Sequence, residues 1–284
     1  MTAFCADTHT GLKRRQNEDC YLTEPALDLY LVADGVGGHA DGEVASAIVR
    51  DTLRHHVNDG MDLIAAIHHA HHAVLEEISR RQESNMGSTV VAALVKDDEY
   101  DIAWVGDSRA YSYNGELKQL TRDHNPVSEM LASGAITSEQ AASHPQRNLL
   151  SQSLGVSESI VVTPGRLQGK LEPGQQLLLC SDGLNDELRD SSIAQVMARE
   201  SNPEAQVKAL ISAALDAGGR DNVTVIVLGE KAPSGGERVV SGGSDINPAP
   251  NSRATEATKG SAARILLGTI VILAIAWAAM KAIL

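Results

Sequence analysis

Residues 29–46 read LYLVADGVGGHADGEVAS, and the choice of fold turns on them. Leu29–Ala33 is an unbroken apolar run of strand length that stops at Asp34 and a cluster of glycines. From Glu43 onward Val44, Ile48, Val49, Leu53 and Val57 recur at helical spacing. Taken alone, an Asp-Gly pair after a strand is an ordinary turn, since both residues suit turn geometry. The same device recurs, however. Ile102–Val105 stops at Gly106-Asp107-Ser108-Arg109, and Leu177–Cys180 stops at Ser181-Asp182-Gly183-Leu184. Gly219-Arg220-Asp221-Asn222 immediately precedes the apolar run Val223–Leu228. Four aspartates delivered to strand ends can meet at one edge of a sheet. Magnesium and manganese want oxygen ligands of this kind, and a glycine beside a ligand lets a backbone carbonyl approach as well. No Cys or His joins the set at ligand spacing, which disfavours zinc.

Outward from these motifs, the spacing predicts further strands over Leu27–Ala33, Thr89–Val95, Tyr100–Val105, Ala110–Tyr113, Leu117–Leu120, Ile160–Thr163, Gln176–Cys180 and Val223–Leu228. Asn114-Gly115 marks a hairpin between two of them. Helices are expected over Glu43–Val57, Asp62–Glu83, Ile193–Glu200 and Pro203–Ala217. Strands come in adjacent runs with helices grouped between them, which indicates an α+β class with antiparallel sheets. The run His68-His69-Ala70-His71-His72 could chelate a metal at i, i+4 spacing. It falls inside a helix pattern far from the aspartates, so a solvated or half-buried helix face is the expectation.

Composition bounds the function. The 284 residues are 43% apolar and carry a formal net charge of -13, so a core is available and nucleic acid is not an expected partner. Cys5, Cys20 and Cys180 show no CxxC spacing and suggest neither a disulfide framework nor a zinc ribbon. Met1 to Arg15 lacks the apolar stretch of a secretory signal, so the expectation is that the body of the protein stays in the cytosol. The expected organisation is a catalytic domain over 1–230, a flexible Gly/Ser/Pro-rich linker over 231–263, and a transmembrane helix over 264–284. The last segment, ILLGTIVILAIAWAAMKAIL, has the roughly 20 residues needed to cross about 30 Å of hydrocarbon. Lys259 and Arg264 before it favour a cytoplasmic N-terminal side. The expectation is a single-pass tail anchor in the inner, cytoplasmic membrane.

Six motifs in order carry a resemblance. RRQNED at 14–19, VADGVGGHADGEVAS at 32–46, MGSTVV at 86–91, VGDSRAY at 105–111, CSDGL at 180–184 and GRDNVTVIVL at 219–228 resemble, as a set, the PPM family of metal-dependent serine/threonine phosphatases in its bacterial form. The resemblance spans about residues 3 to 229. It implies an α-β-β-α sandwich of two antiparallel sheets flanked by helices, and hydrolysis of phosphoserine and phosphothreonine by a metal-activated water. It also implies two manganese or magnesium ions held by Asp34, the Gly35 carbonyl, Asp182 and Asp221, with a third, weaker ion at Asp107. Arg14 would hold the substrate phosphate, while Glu18 and Asp19 would hold metal-bound waters. Residues 124–155 resemble the family's flap. Animal members carry His directly after the DG pair, where this chain has Val36. His39 and a metal-bound water remain alternatives for the general acid. The implied partners are phosphoprotein substrates and an opposing serine/threonine kinase, met at the membrane.

Two other readings stay open on sequence: a catalytically silent module of the same fold, and a metal phosphohydrolase acting on small molecules. Loss of an acidic ligand would favour the first, yet Asp34, Asp182 and Asp221 are all present. A P-loop nucleotide hydrolase is disfavoured, because no GxxxxGK[ST] occurs.

Overall fold

Alternation along the strands builds four layers. In β3 (Leu29–Gly37), Leu29, Leu31 and Ala33 point to one face while Tyr30 and Val32 point to the other. The first set packs against α1 (Asp41–Asn58) and α2 (Leu63–Arg81), with Ala45, Val49, Leu53, Ile67 and Val74. The second set meets Leu177, Leu179, Ile226 and Leu228 of an opposing sheet. Those strands, β10 (Gln176–Cys180) and β11 (Val223–Leu228), turn Leu178, Cys180, Val223, Val225 and Val227 outward. There they are covered by α5 (Asp182–Asn185), α6 (Asp190–Arg199) and α7 (Pro203–Ala217). The order is helix, sheet, sheet, helix, as the motifs imply. The computed structural model describes residues 3–37, 41–81, 85–155 and 161–229.

The remaining strands complete two antiparallel sheets. One takes the order β1 (Phe4–His9), β11, β10, β7 (Arg109–Tyr113), β8 (Leu117–Gln119). The other runs β2 (Asp19–Glu24), β3, β5 (Val90–Lys96), β6 (Glu99–Val105), β9 (Gly165–Lys170), with β4 (Met86–Ser88) pairing the far end of β3. The segment between β8 and β9 carries α3 (Pro126–Ala132) and α4 (Ser138–Ala142), each begun by a side-chain cap, from Asn125 and Thr137.

Several expectations need correction. Asp34 does not end its strand. β3 pairs β5 through Val32 and then β4 from Gly35, so Asp34 sits at the changeover, opposite Asp19 of β2. No strand forms at Val161–Thr163, where Val161 is 84% exposed; Ile160 lies outside the described residues. Four strands (β1, β2, β4 and β9) were not legible as apolar runs. The linker, the 264–284 segment and His39 also fall outside the described residues. Among the described residues no helix is long and apolar enough to cross a membrane.

Candidate metal centre

The site begins with the changeover in β3. Thr89, between β4 and β5, donates its N–H to the Asp34 carbonyl (2.8 Å) and accepts from the Asp34 N–H through Oγ1 (3.1 Å). Ser88 Oγ donates to the same carbonyl at 3.1 Å, and Thr89 Oγ1 shares a 2.7 Å hydrogen bond with Ser108 Oγ. These short polar side chains fix the Asp34 backbone. Gly35 follows with its N–H bonded to the Glu18 carbonyl at 3.1 Å. A Cβ on Gly35 would stand 2.0 Å from the Gly42 carbonyl oxygen, so α1 can begin this close only over glycine.

Asp19 joins the sheets. From β2 of one sheet it reaches the other, where its Oδ2 accepts from Ser181 Oγ and from Thr224 Oγ1, both at 2.7 Å. Burial pushes its carboxyl up to about 6. Asp182 is the first residue of α5, and Asp107 lies in the loop between β6 and β7. Burial raises Asp34 and Asp182 well above the carboxylate range and Asp107 to about 7. Mutual repulsion then adds to burial. Asp34 feels Asp19, Asp182, Asp107 and Asp221, and Asp182 feels Asp107, Asp221, Asp186 and Asp19. The predicted aspartates are therefore brought together electrostatically.

Arg14 stands on the same side. Its Nη2 donates to Asp221 Oδ2 at 2.7 Å, and its Nη1 lies 3.8 Å from Glu18 Oε2. The arginine side chain is 48% exposed, so it can turn towards a ligand from solvent. The Glu18 carboxyl is also raised, chiefly by burial. Among the described residues no three acidic, histidine or cysteine side chains already stand around one point that could hold a metal. One cause is visible at Asp221, whose Oδ2 is taken by Arg14 and whose Oδ1 accepts from the Asn222 N–H at 2.8 Å.

The donor set nevertheless fits hard divalent cations. Asp182 Oδ1 and Asp19 Oδ1 are buried without any hydrogen-bond partner. Such orphaned oxygens are costly in a group of like charges unless a cation satisfies them. Sulfur does not compete: burial pushes the Cys180 thiol up to about 12 and Cys20 up to about 11, so neither is a thiolate near neutrality.

Other features lie apart from this centre. A groove of about 790 Å³ between α1 and α2 is lined by His55, His56, His69 and His72 and includes none of the aspartates above. Of the histidine run, His69 and His72 are exposed and His68 is half-buried. His71 is buried, and its Nδ1 accepts from the Gly155 N–H at 3.1 Å, so it serves the fold. Sequence reasoning missed the Ser88–Thr89–Ser108 and Ser181–Thr224 contacts. It also missed the buried ion pair in which Arg109 donates to both carboxylate oxygens of Asp123. Ser and Thr have no distinctive spacing, but the sequence does place Asp123 ahead of the flap.

The 124–155 segment, which resembles the family's flap, is tied at both feet. His124 N–H donates to the Gly106 carbonyl, and Ser151 N–H donates to the His124 carbonyl, each at 2.8 Å. Farther along, Asn148 Nδ2 donates to Asp186 Oδ2, four residues beyond Asp182.

Comparison with known proteins places this geometry. Residues 9–216 match the family model for protein phosphatase 2C. The chain is 37% identical over 232 residues to the serine/threonine protein phosphatase PstP of Mycobacterium tuberculosis, covering 79% of this chain but 44% of that protein. It is 33% identical over 234 residues to the protein phosphatase PhpP of Streptococcus pneumoniae, covering 78% of this chain and 94% of PhpP. A crystal structure of the PstP catalytic domain in complex with two manganese ions superposes with a TM-score of 0.71 at 33% identity, over 81% of this chain and 99% of that one.

Proposed function

The chain belongs to the protein phosphatase 2C family, and from that membership we propose that residues 1–230 hydrolyse phosphoserine and phosphothreonine in proteins. The observation that carries the reading is the set of buried, mutually repelling aspartates beside a half-exposed arginine. Asp34, Asp182, Asp221 and the Gly35 carbonyl would hold two divalent ions, manganese or magnesium, and Asp107 a third, weaker one. When bound, such ions make water nucleophilic near neutral pH and neutralise charge on phosphoryl oxygens. Arg14 supplies the planar fork that fits two phosphoryl oxygens and orients the ester for in-line attack. Asp19, fixed between Ser181 and Thr224, and Glu18, beside the start of α1, orient water in the site through carboxylate oxygens. No covalent phosphoenzyme is required, in keeping with thiols that stay protonated.

The test is hydrolysis of p-nitrophenyl phosphate and a phosphothreonine peptide by the purified chain with manganese, reversed by a chelator. A folded, manganese-loaded chain inert on both substrates would leave the silent module as the reading. Activity on p-nitrophenyl phosphate and small phosphate esters, with none on phosphopeptides, would favour the small-molecule hydrolase.

The apolar segment 265–284, with basic residues only at its flanks and at Lys281, supports a tail anchor holding the domain on the cytoplasmic side of the inner membrane. A Ser/Thr kinase acting at that membrane and its targets are the proposed partners. Release of the chain from membranes by alkaline carbonate would overturn the anchor.

A further inference from the structure

The segment that carries Arg14 has little regular structure of its own. Residues 10–18 run between β1 and β2 without joining a ladder, yet Arg14 must be held to within a fraction of an ångström to orient a phosphoryl group. Three of the hydrogen bonds that hold this segment converge on one side chain. Asn222 is buried at 4% exposure, immediately after Asp221. Its Oδ1 accepts from the Glu18 N–H at 2.8 Å. Its Nδ2 donates to the carbonyls of Thr10 at 2.8 Å and Gln16 at 2.9 Å. These three partners bracket Arg14 on both sides.

Resting on the hydrolase reading above, we propose that Asn222 is the positioning residue that sets Arg14 for phosphate, by clasping the Thr10–Glu18 segment to the end of β11. Chemistry explains why an amide is needed. Two carbonyls and one N–H call for two donors and one acceptor on one short, planar group, and asparagine supplies that set. Aspartate at this position would turn an acceptor towards two carbonyls, and serine would reach too few partners. Other contacts hold the segment at this place but do not set its course. Leu12 N–H donates to the Gly219 carbonyl at 2.7 Å. Gly11, at φ +80°, lies so near Asp221 that a Cβ would stand 2.1 Å from the Asp221 carbonyl oxygen. The segment thus rests on the backbone of residues 219–221; the Gly35 N–H and Ser46 Oγ hold the Glu18 carbonyl, and among the described residues Asn222 is the side chain bonded to it both before and after Arg14. Asp221 takes the Arg14 guanidinium while its neighbour holds the chain before and after Arg14, so one dipeptide contacts both the side chain and the flanking backbone.

Asn222 touches no reacting atom, so its effect must run through Arg14, and a double-mutant cycle can read that. The full chain is compared as wild type, N222A, R14A and the double variant, by steady-state hydrolysis of p-nitrophenyl phosphate with manganese and by calorimetric binding of inorganic phosphate. N222A is expected to raise KM and weaken phosphate binding about tenfold, with a smaller loss in kcat. In the R14A background the same change is expected to cost less than about twofold, because the group it positions is already gone. The proposal is overturned if KM and phosphate affinity stay at wild-type levels, if the loss is confined to kcat, or if it multiplies in full on R14A. Should N222A not fold, N222D, which keeps the acceptor for Glu18, takes its place in the cycle with the same expectations. A wild type that binds phosphate but turns over no ester would fail the hydrolase reading while calorimetry still judges Asn222. A wild type that does neither overturns both.

Discussion

Two groups of buried charge lie at the same end of the sandwich and are built on opposite principles. Arg109 and Asp123 form a closed unit. Arg109 donates to Oδ1 of Asp123 at 2.9 Å and Oδ2 at 2.7 Å, its third nitrogen reaches Tyr111 OH at 3.0 Å, and Gln119 Nε2 donates to Asp123 at 3.0 Å. Asp19, Asp34, Asp107 and Asp182 are an open unit: like charges, burial, and two oxygens without partners. The closed unit needs nothing from outside and fixes the strand after Asp107. The open unit stores repulsion that a bound cation relieves near neutrality and protonation relieves in acid. The contrast separates a device for folding from one for binding, although both read in sequence as acidic residues near strand ends.

The contrast breaks if the two units respond alike to losing a charge. The largest effect is expected at Asp182. Asp182→Asn should lower phosphatase activity by about 10³-fold or more, by removing a cation ligand. The metal-free variant should nonetheless be at least as stable as wild type, because one repelling charge has gone. Chemical denaturation in the presence of a chelator measures this, and a clear loss of metal-free stability would refute the open-unit reading. Arg109→Met should act in the opposite direction on stability. It strands the Asp123 carboxylate in the interior and is expected to cost about 3–5 kcal/mol. A loss below about 1 kcal/mol would mean that the pair is not the closed unit described.

Acidity offers a sharper separation. The folded-state values of Asp19 and Asp107 rise from 3.8 to about 6 and about 7, burial being the first cause in each. Between these values the metal-free folded chain binds more protons than the unfolded chain. The contribution of these two carboxyls to stability is therefore full below about pH 4 and falls as pH rises towards 7. Arg109 is held well above its ordinary value and keeps its charge throughout this window, so it contributes no slope. Denaturant midpoints taken with chelator from pH 4 to 7 should decline, and manganese should flatten the decline near neutrality. A rise over that range without metal would show that the carboxylates are not repelling one another.

How much of this could be read from the residues follows from what each contact needs. The aspartates were legible because each comes in a recognisable setting, an apolar strand and a glycine. Strands β10 and β11 were legible because burial on both faces demands continuous apolar residues. The edge strands β1 (FCADTH) and β9 (GRLQGK) were not, since every residue in them is exposed or half-buried and polar side chains are tolerated there. Asp34 looked like a strand end because glycine follows it. The continuation depends on β4, a three-residue partner about 50 positions away, which no local pattern reveals. Thr89, Ser108, Ser181, Thr224 and Asn222 stand inside the quoted motifs, but their roles were invisible for a related reason. Their work depends on long-range hydrogen bonds, and their residue types are as common in loops as in sites.

A third buried group, neutral and small in effect, bounds the comparison from below. His71 accepts the Gly155 N–H at the point where the chain leaves the flap and Leu154 pairs with Ser88, whose hydroxyl bonds the Asp34 carbonyl. Burial lowers its basicity, helped by His72 and His68, so the folded chain holds it neutral. His71→Ala leaves the Gly155 N–H without its acceptor and should cost about 1–2 kcal/mol at pH 8. The sign with pH is opposite to that of the aspartates. A histidine held neutral stabilises above its unfolded value of 6.5 and loses that stabilisation as pH falls through it. The gap between wild type and His71→Ala should therefore narrow from pH 8 to 5 because wild type loses this stabilisation in acid; the gap between Asp182→Asn and wild type should narrow too, but because wild type gains stability in acid. If the His71 gap widened in acid instead, the imidazole would be charged in the fold, and its hydrogen bond to Gly155 would need another donor–acceptor assignment.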